Sequence, residues 1–417
     1  MNLETLLKKT SLIDHHVSSF NNFLSHELPK MCEQTKVLLE NGNKVTFSNF
    51  KIHLPTVLEY NNEARLITAS ECRVRSLTYH SPFYMDMEYQ SKRDTSLKTL
   101  KHVFLGYLPI MMGSKYSKSS LATGDLGGYF IINGKEKCCV SQERVAHNKF
   151  YIYENKELPY VSILCGKKKS FMRCSNKIYL EANNCISVEI NAMTDKIPIM
   201  ALLLSLSPPT TTLTTLLESI PEEIKVFLHR SISDSKECKT MERAGVLIYA
   251  MWTRSARIYN KSRYTDTIDS FHKRYILPHI EKQGASNRAK QAMLIKAVSM
   301  LLRRSSRPDM HPLTDRDNWE HKRIDTTGGL LKAVFRMALM TTVRNFKRIV
   351  DKKNSKGLKS EVDLRKSWPN ENLTNNIKYA LATGNWKTSS SNQIWKVGVS
   401  QNIYRYTPSA VFSLLRR

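Results

Sequence analysis

Residues 127–140 read GGYFIINGKEKCCV, and they give the clearest indication of local structure in this chain. Two runs of strand-forming residues lie on either side of Asn133-Gly134. Asn-Gly is the pair that best tolerates the positive φ angles of a two-residue hairpin turn. The stretch therefore predicts an antiparallel β-hairpin.

Strand signals continue on both sides of this hairpin, from Val45 to about Ile190. Polar and apolar residues alternate at residues 73–77 and again at residues 84–88. A period of two is typical of a half-buried strand, so this part of the chain is predicted to be rich in sheet.

Helical signals dominate elsewhere. The apolar run at residues 197–206 gives way to Ser207-Pro208-Pro209 and a threonine-rich segment, which predicts a boundary, and helical periodicity follows to about Arg307. One long helix is predicted at about residues 327–350. An amphipathic helix is predicted near the N-terminus, with one apolar stripe formed by Leu12, Ile13, His16, Val17, Phe20, Phe23 and Leu24. These patterns predict an α+β fold: a mixed sheet-and-helix domain with a largely helical inserted domain.

Charge is the strongest compositional signal. The 417 residues, enough for two or three domains, include 64 Lys and Arg against 37 Asp and Glu, a formal net charge of +27. Residues 322–366 alone hold 13 Lys and Arg against 4 Asp and Glu. Such an excess indicates a phosphate polymer, an anionic lipid surface or a strongly acidic protein as the partner.

Cysteine usage and hydropathy bear on the compartment. The 8 cysteines are scattered without metal or redox spacing, so we interpret them as reduced thiols of the cytosol or nucleus. The longest apolar run, residues 197–206, is about half of what a bilayer span requires. The N-terminus lacks the continuous apolar core of a signal peptide. A reducing, intracellular location without membrane association is therefore predicted.

No catalytic motif is evident in the sequence: there is no phosphate-binding Walker loop and no Gly-x-Ser-x-Gly elbow. Asp315, Asp317 and Asp325 are conceivable metal ligands. The Arg and Lys residues among them favour an ion-paired structural junction instead.

Two other groups of residues have simple structural interpretations. The pair His15-His16, and His311 with His321, lack a spaced third ligand, so core or solvated histidine is favoured over a metal site. Three consecutive lysines at residues 167–169 indicate a solvated turn.

Residues 398–407, GVSQNIYRYT, are harder to assign from the residues alone. Gln401 offers a side-chain donor and acceptor, and Arg405, Arg416 and Arg417 offer planar guanidinium groups that bind phosphate. The alternative, which composition leaves equally open, is that the tyrosines are core residues and the terminal arginines are solvated.

Seven blocks in collinear order decide between these alternatives. They are ECRVRSLTY (71–79) with PFYMDMEY (82–89), PIMM (109–112) with SKY (114–116), LGGYFIING (126–134) with EK (136–137) and QER (142–144), IPIM (197–200), DRD (315–317) with KRID (322–325), LATGNW (381–386), and GVSQ (398–401) with RYT (405–407). The chain resembles the N-terminal half of the second-largest (beta) subunit of multisubunit DNA-directed RNA polymerases of the eukaryotic, archaeal and large-DNA-virus type.

The resemblance implies an architecture of named parts. A protrusion would comprise residues 1–190 and 315–385, a lobe would be inserted at residues 191–314, and the fork would begin at residues 386–417. In the family, the segment matching residues 398–407 and the Arg-Arg pair lie beside the RNA–DNA hybrid. That role is carried over to Gln401, Arg405, Arg416 and Arg417.

The resemblance also implies what the chain lacks. The family polymerises ribonucleotides with two metal ions, and the principal metal-holding aspartates lie in the largest subunit. This chain is therefore expected to bind no cofactor or metal and to hold no catalytic residue. Mg²⁺ is expected in the assembled enzyme, held mainly by the largest subunit, and the isolated chain is expected to be inactive.

Partners follow from the same resemblance. They are a complementary C-terminal half of the subunit, the largest and other polymerase subunits, the DNA template and the RNA–DNA hybrid, with no membrane. Family members continue past the position that matches Arg417, so the chain is expected to be part of a split or truncated subunit. The alternative is a freestanding basic nucleic-acid-binding protein derived from a polymerase subunit. A membrane-surface protein is the third and least favoured interpretation.

Overall fold

A computed structural model describes residues 13–40, 42–61, 63–90, 97–117, 125–155, 158–166, 173–191, 193–208, 211–218, 220–234, 238–258, 268–280, 286–355, 364–387 and 395–417. The strands among them are β1 Val37–Leu38, β2 Lys44–Ile52, β3 Thr56–Leu58, β4 Ala64–Leu66, β5 His80–Gln90, β6 Leu97–Pro109, β7 Phe130–Ile132, β8 Lys135–Cys139, β9 Gln142–Val145, β10 Phe150–Asn155, β11 Leu158–Gly166, β12 Arg173–Leu180, β13 Ile186–Ile190, β14 Ile197–Pro198, β15 Lys322–Asp325, β16 Trp386–Lys387, β17 Trp395–Lys396 and β18 Ser400–Asn402.

The α-helices alternate with groups of strands. They are α1 Asp14–Asn22, α2 Leu28–Glu33, α3 Ala69–Val74, α4 Ile199–Ser205, α5 Leu213–Glu218, α6 Glu222–Asp234, α7 Met241–Ile258, α8 Ile268–Tyr275, α9 Ser286–Ser306, α10 Thr327–Ser355, α11 Leu364–Ser367, α12 Asn370–Thr383 and α13 Pro408–Arg416. A π-helical turn at Phe23–Glu27 joins α1 to α2. The described residues form several sheets as well as helices, so the predicted α+β class is confirmed.

Packing divides the chain into two compact units. The first comprises residues 1–144 and 324–417, and the second comprises residues 145–323. The second unit begins at Val145 because strands β10 to β14 share a hydrophobic core with the helices that follow them. The named parts and their bounds at residues 190, 314 and 385 remain a prediction, and the packing boundaries lie elsewhere.

The first unit is built on an antiparallel sheet with the order β1-β2-β5-β6. Aromatic side chains from the sheet and the C-terminal helices meet in its core. There the ring centroid of Trp368 lies 5.4 Å from that of Phe47 and 5.3 Å from that of Phe346. The predicted long helix is confirmed as α10, which runs to Ser355. The predicted N-terminal helix is confirmed from Asp14, and Leu12 lies outside the described residues.

The predicted hairpin is confirmed. Strands β7 and β8 pair across Asn133 and Gly134, whose φ angles are 49° and 74°. Both are positive, as the tight turn requires, and a Cβ atom at Gly134 would lie 2.9 Å from the Cα atom of Ser76.

The strand predicted at residues 73–77 is wrong, because residues 69–74 form helix α3. Thr68 caps this helix, its side chain accepting a hydrogen bond from the Glu71 N–H. Val74 is 85% exposed, so the alternation that indicated a strand reflects no buried face. The alternation at residues 84–88 does belong to a strand, β5.

The second unit has an antiparallel sheet with the order β10-β11-β12-β13-β14. Its inner face packs on helices that include α4, in which every residue is buried. The helical periodicity predicted up to about Arg307 is confirmed, and its last helices are α8 and α9. None of the helices in the described part of the chain has the length and hydrophobicity that a membrane span requires.

Candidate nucleic-acid interface

The C-terminal segment joins the central hairpin as a third strand. Strand β18 pairs with β8, with Gln401 opposite Cys138 and Asn402 opposite Lys137. The Ser400 hydroxyl donates to the carbonyl of Leu381 at 2.7 Å. Gly384, with a φ of 76°, ends helix α12 just below this strand, and a Cβ atom there would lie 2.6 Å from the Ser400 carbonyl oxygen. The LATGNW and GVSQ blocks therefore lie side by side, with the backbone of Gly384 close to the backbone of Ser400.

Glu136, on the hairpin, binds two arginines that are distant in sequence. The Nε atom of Arg405 lies 2.6 Å from Oε2 of Glu136, and its Nη2 lies 3.1 Å from Oε1. Arg73, on helix α3, donates from Nε to Oε1 of the same carboxylate at 2.8 Å. The two-point contact fixes the orientation of the Arg405 guanidinium.

Asp125 and Tyr129 complete this cluster. Nη2 of Arg405 also lies 3.3 Å from Asp125, and the Tyr129 hydroxyl donates to Asp125 at 2.6 Å. Arg73 in turn donates to the Tyr129 oxygen at 2.7 Å. The hydrogen bonds and charge of Glu136, with the charge of Asp125, raise the pKa of Arg405, so the guanidinium stays protonated. Burial and the Asp125 hydrogen bond raise the pKa of Tyr129.

An open cleft of about 890 Å³ borders this cluster. It is lined by Arg73, Asp125, Gly134, Lys135, Glu136, Asn402, Ile403, Tyr404, Arg405 and Tyr406. A smaller cavity of about 450 Å³ shares Asn402, Tyr404 and Tyr406 and reaches helix α13 at Ala410 and Leu414. The segment after β18 thus separates two concave surfaces.

The four residues predicted to bind nucleic acid occupy different settings. Gln401 is half-buried in β18 and donates to the carbonyl of Gly398 at 3.3 Å, while Arg405 is 43% exposed but already paired with two carboxylates. Arg416 and Arg417 are exposed at the end of helix α13, which the side chain of Thr407 caps at its start. Arg405 lines the larger cleft and Gln401 lines the smaller cavity, so the structure does not bring these two side chains into one site, and the terminal arginines lie on the helix beyond.

Glu136 and Asp125 are neighbours of Arg405 to which the sequence analysis assigned no role. Glu136 lies between Lys135 and Lys137 in the hairpin, a pattern that indicates only a polar strand. Its pairing with Arg405 joins residues 269 positions apart. No feature of the sequence predicted this pairing.

The acidic residues considered as metal ligands make local contacts instead. Asp315 accepts a hydrogen bond from the Asp317 N–H at 2.8 Å, and Asp317 lies 3.6 Å from Lys322. Asp325 pairs with Arg144 at 2.8 Å. These contacts support the ion-paired interpretation, and within the described ranges there is no group of three or more metal-ligating His, Cys, Asp or Glu side chains.

The structure also shows where most of the histidines and cysteines considered in the sequence analysis lie. His16 is a fully buried core histidine, as predicted, and His321 is half-buried with its ring 5.3 Å from Tyr151. All eight cysteines are buried and none is joined in a disulfide, which agrees with their interpretation as reduced thiols. The three lysines at residues 167–169 lie outside the described residues.

Known proteins resemble the chain over its whole length. A family model described as RNA polymerase beta subunit matches residues 11–375. The DNA-directed RNA polymerase subunit Rpo2N of Methanothermobacter thermautotrophicus is 26% identical over 457 residues, covering 100% of this chain and 84% of that protein. Subunit Rpo2 of Saccharolobus shibatae is 27% identical, covering 100% of this chain and 37% of that protein. The DNA-directed RNA polymerase III subunit rpc2 of Dictyostelium discoideum is 24% identical, and the alignment covers 99% of this chain and 26% of that protein.

These relatives are all subunits of multisubunit transcribing enzymes. The chain belongs to the RNA polymerase beta subunit family, since the family model covers most of its residues. Within that family it corresponds to the N-terminal half of the subunit, as the seven sequence blocks predicted. The same residues align with most of Rpo2N but with little more than a third of Rpo2.

Proposed function

We propose that this chain forms part of the DNA cleft of a DNA-directed RNA polymerase and contacts the RNA–DNA hybrid through its C-terminal segment. One observation carries the proposal. Residues 372–417 contain six Lys and Arg and no Asp or Glu. Within this segment, strand β18 pairs with strand β8 of the hairpin, beside the open cleft. The segment adds no carboxylate of its own that would compete with phosphate for its lysines and arginines, and of these Arg405 is paired with Glu136 and Asp125 from outside the segment.

The chain is proposed to act with a complementary polypeptide that supplies the rest of the beta-type subunit, and with the largest subunit. The nearly full-length alignment with subunits named Rpo2N supports this. Two-metal phosphoryl transfer needs converging carboxylates, and the acids at residues 315–325 are engaged in local ion pairs and turns. Mg²⁺ is therefore proposed to be held mainly by the largest subunit, and the isolated chain to be inactive. Buried free thiols on both units support a reducing compartment.

Affinity purification of the tagged full chain from its native source tests this proposal. We expect a second beta-type polypeptide and the largest subunit to co-purify, and the complex to extend a primed RNA–DNA scaffold with Mg²⁺ and nucleoside triphosphates. The isolated chain should bind the scaffold without extending it. The double variant Asp315→Asn with Asp317→Asn should leave extension by the complex unchanged.

Two results would contradict the proposal. Extension by the isolated chain that is lost in the Asp315→Asn, Asp317→Asn variant would place the active site here. Recovery of the native chain without any polymerase subunit, while it still binds nucleic acid, would favour the freestanding nucleic-acid-binding protein.

A further inference from the structure

Two neighbouring tyrosines at the cleft are unusually exposed. Tyr404 is 58% exposed and Tyr406 is 85% exposed, and both line the cleft of about 890 Å³. Their rings are nearly parallel, at an interplanar angle of 9°, with centroids 5.8 Å apart. The pair presents aromatic surface to the cleft that the chain's own core does not bury.

A single exposed tyrosine is ordinary, and the chain supplies one for comparison. Tyr60 is fully exposed in the hairpin of β3 and β4, but it stands alone beside Glu59 and Glu63. Tyr404 and Tyr406 differ in being stacked on each other, in facing a cleft, and in lying within the carboxylate-free residues 372–417.

Cations border the same cleft. Lys135 is exposed at the hairpin turn and lines the cleft together with the two tyrosines. Arg73 and Arg405 also line it, and their charges are matched by Glu136 and Asp125. Lys135 therefore leaves the cleft with one excess positive charge, which suits a phosphate group.

We propose that Tyr404 and Tyr406 form a stacking platform for an unpaired base of single-stranded nucleic acid, with Lys135 binding its phosphate. Aromatic rings beside a basic groove are the means by which proteins bind single strands without reading their sequence. The inference rests on the proposed function, and it adds the ligand class: an unpaired nucleotide next to the hybrid. Arg405 acts as a positioning residue, because its pairing with Glu136 fixes the backbone between the two tyrosines.

The test uses the full chain and two fluorescent probes, a blunt RNA–DNA hybrid and the same hybrid with a single-stranded RNA overhang that carries 2-aminopurine. We expect the wild-type chain to bind the overhang probe more tightly and to quench 2-aminopurine, because a stacked base loses fluorescence. The double variant Tyr404→Ala with Tyr406→Ala should lose the quenching and about tenfold in affinity for the overhang probe, and keep its affinity for the blunt hybrid.

Matched variants make the result specific. Tyr404→Phe with Tyr406→Phe should retain the preference, because the ring is kept, and Tyr60→Ala should behave as wild type. Lys135→Gln should reduce the salt dependence of overhang binding by about one phosphate contact. Thermal unfolding of each variant separates loss of the platform from loss of the fold.

The outcomes distinguish the two proposals. If the wild-type chain binds neither probe, the proposed function fails. If it binds both equally, or if the double alanine variant keeps the overhang preference, the platform is wrong while the proposed function stands. Loss of a co-purifying polypeptide in the double variant with unchanged nucleic-acid binding would assign the tyrosines to a protein interface and would overturn the platform.

Discussion

His16 ties together three segments that are far apart in sequence. Its Nδ1 atom lies 2.7 Å from the Thr327 hydroxyl, and its Nε2 atom lies 2.9 Å from the carbonyl oxygen of Leu415. Only an Nε2–H tautomer donates to that carbonyl while Nδ1 accepts from the hydroxyl. One neutral imidazole thus holds helices α1, α10 and α13 together, and α13 carries Arg416 and Arg417.

This arrangement predicts a loss of stability in mild acid. Burial, with a smaller effect of His15, lowers the pKa of His16 to about 4, below its ordinary value of 6.5. The unfolded chain therefore takes up a proton first as the pH falls from about 7 to about 5. The free energy of unfolding should fall by up to about 1.4 kcal/mol per pH unit for each such histidine.

Denaturant unfolding at several pH values checks this prediction. His16→Gln should be less stable near neutral pH and should show a shallower pH dependence, because the titrating group is gone. His26→Gln, an exposed neighbour, should keep the wild-type slope. An unchanged slope in His16→Gln would assign the acid sensitivity to the other buried histidines, His80 and His272, whose pKa values are also lowered to about 4.

Arg405 shows what residue identity alone leaves undecided. The sequence block indicates a phosphate-binding arginine, whereas the structure places its guanidinium against Glu136 and Asp125. The contact between Arg405 and Glu136 forms because strand β18 pairs with strand β8 of the hairpin. No local sequence pattern predicts that pairing. Arg416 and Arg417, which are exposed at the end of helix α13, remain candidates for the predicted phosphate contacts.

At the scale of elements, the start of helix α10 offers a contrast between neighbouring glycines. A Cβ atom at Gly328 would collide with the carbonyl oxygen of Ser19, and the Gly328 N–H donates to the Ser19 hydroxyl at 3.0 Å. A Cβ atom at Gly329 would meet nothing within 4 Å. Helix α1 and helix α10 therefore approach closely at one glycine only.

Alanine at these two positions should act in opposite directions. Gly328→Ala should cost about 1–3 kcal/mol, because one helix must shift away from the other. Gly329→Ala should stabilise by about 0.5–1 kcal/mol, since alanine loses less backbone entropy in a helix. Chemical denaturation of both variants measures the difference, and equal destabilisation would show that the contact between α1 and α10 is not tight.

Elements with a strong local signal were predictable from the sequence. Asn133-Gly134 predicts its hairpin because two successive positive φ angles restrict the choice of residues, and the apolar stripe predicts helix α10. Residues 73–77 misled because a six-residue helix is too short to show its period, and its cap, Thr68, lies before the alternating residues. The third strand of the hairpin sheet, β18, joins partners some 260 residues apart, and this pairing was not predicted from the sequence because no local pattern encodes a contact over that distance.

At the scale of the whole molecule, the positive charge is shared by both units. The first unit has 35 Lys and Arg against 19 Asp and Glu, and the second has 29 against 18. Attraction to phosphate is therefore general, and affinity for any nucleic acid should fall steeply as salt rises. Only a comparison at equal charge can locate the surface that makes specific contacts.

Two triple variants provide that comparison, since each removes three positive charges. One combines Arg405→Ala, Arg416→Ala and Arg417→Ala, and the other replaces the three lysines at residues 167–169 with alanine. Both should weaken long-range attraction equally. The arginine triple should also speed dissociation of a labelled RNA–DNA hybrid from the assembled polymerase by about tenfold, because charge-assisted contacts to phosphate are lost.

Dissociation rates at two salt concentrations check this last prediction, because screening reduces the shared long-range effect and leaves the close contacts. The double variant Arg416→Ala with Arg417→Ala should be nearly as damaging as the arginine triple, since Arg405 is already paired with Glu136 and Asp125. If the lysine triple speeds dissociation and the arginine triple does not, the nucleic-acid surface lies away from the C-terminal segment. The family assignment would survive that result, because it depends on the family model that matches residues 11–375 and not on where the hybrid binds.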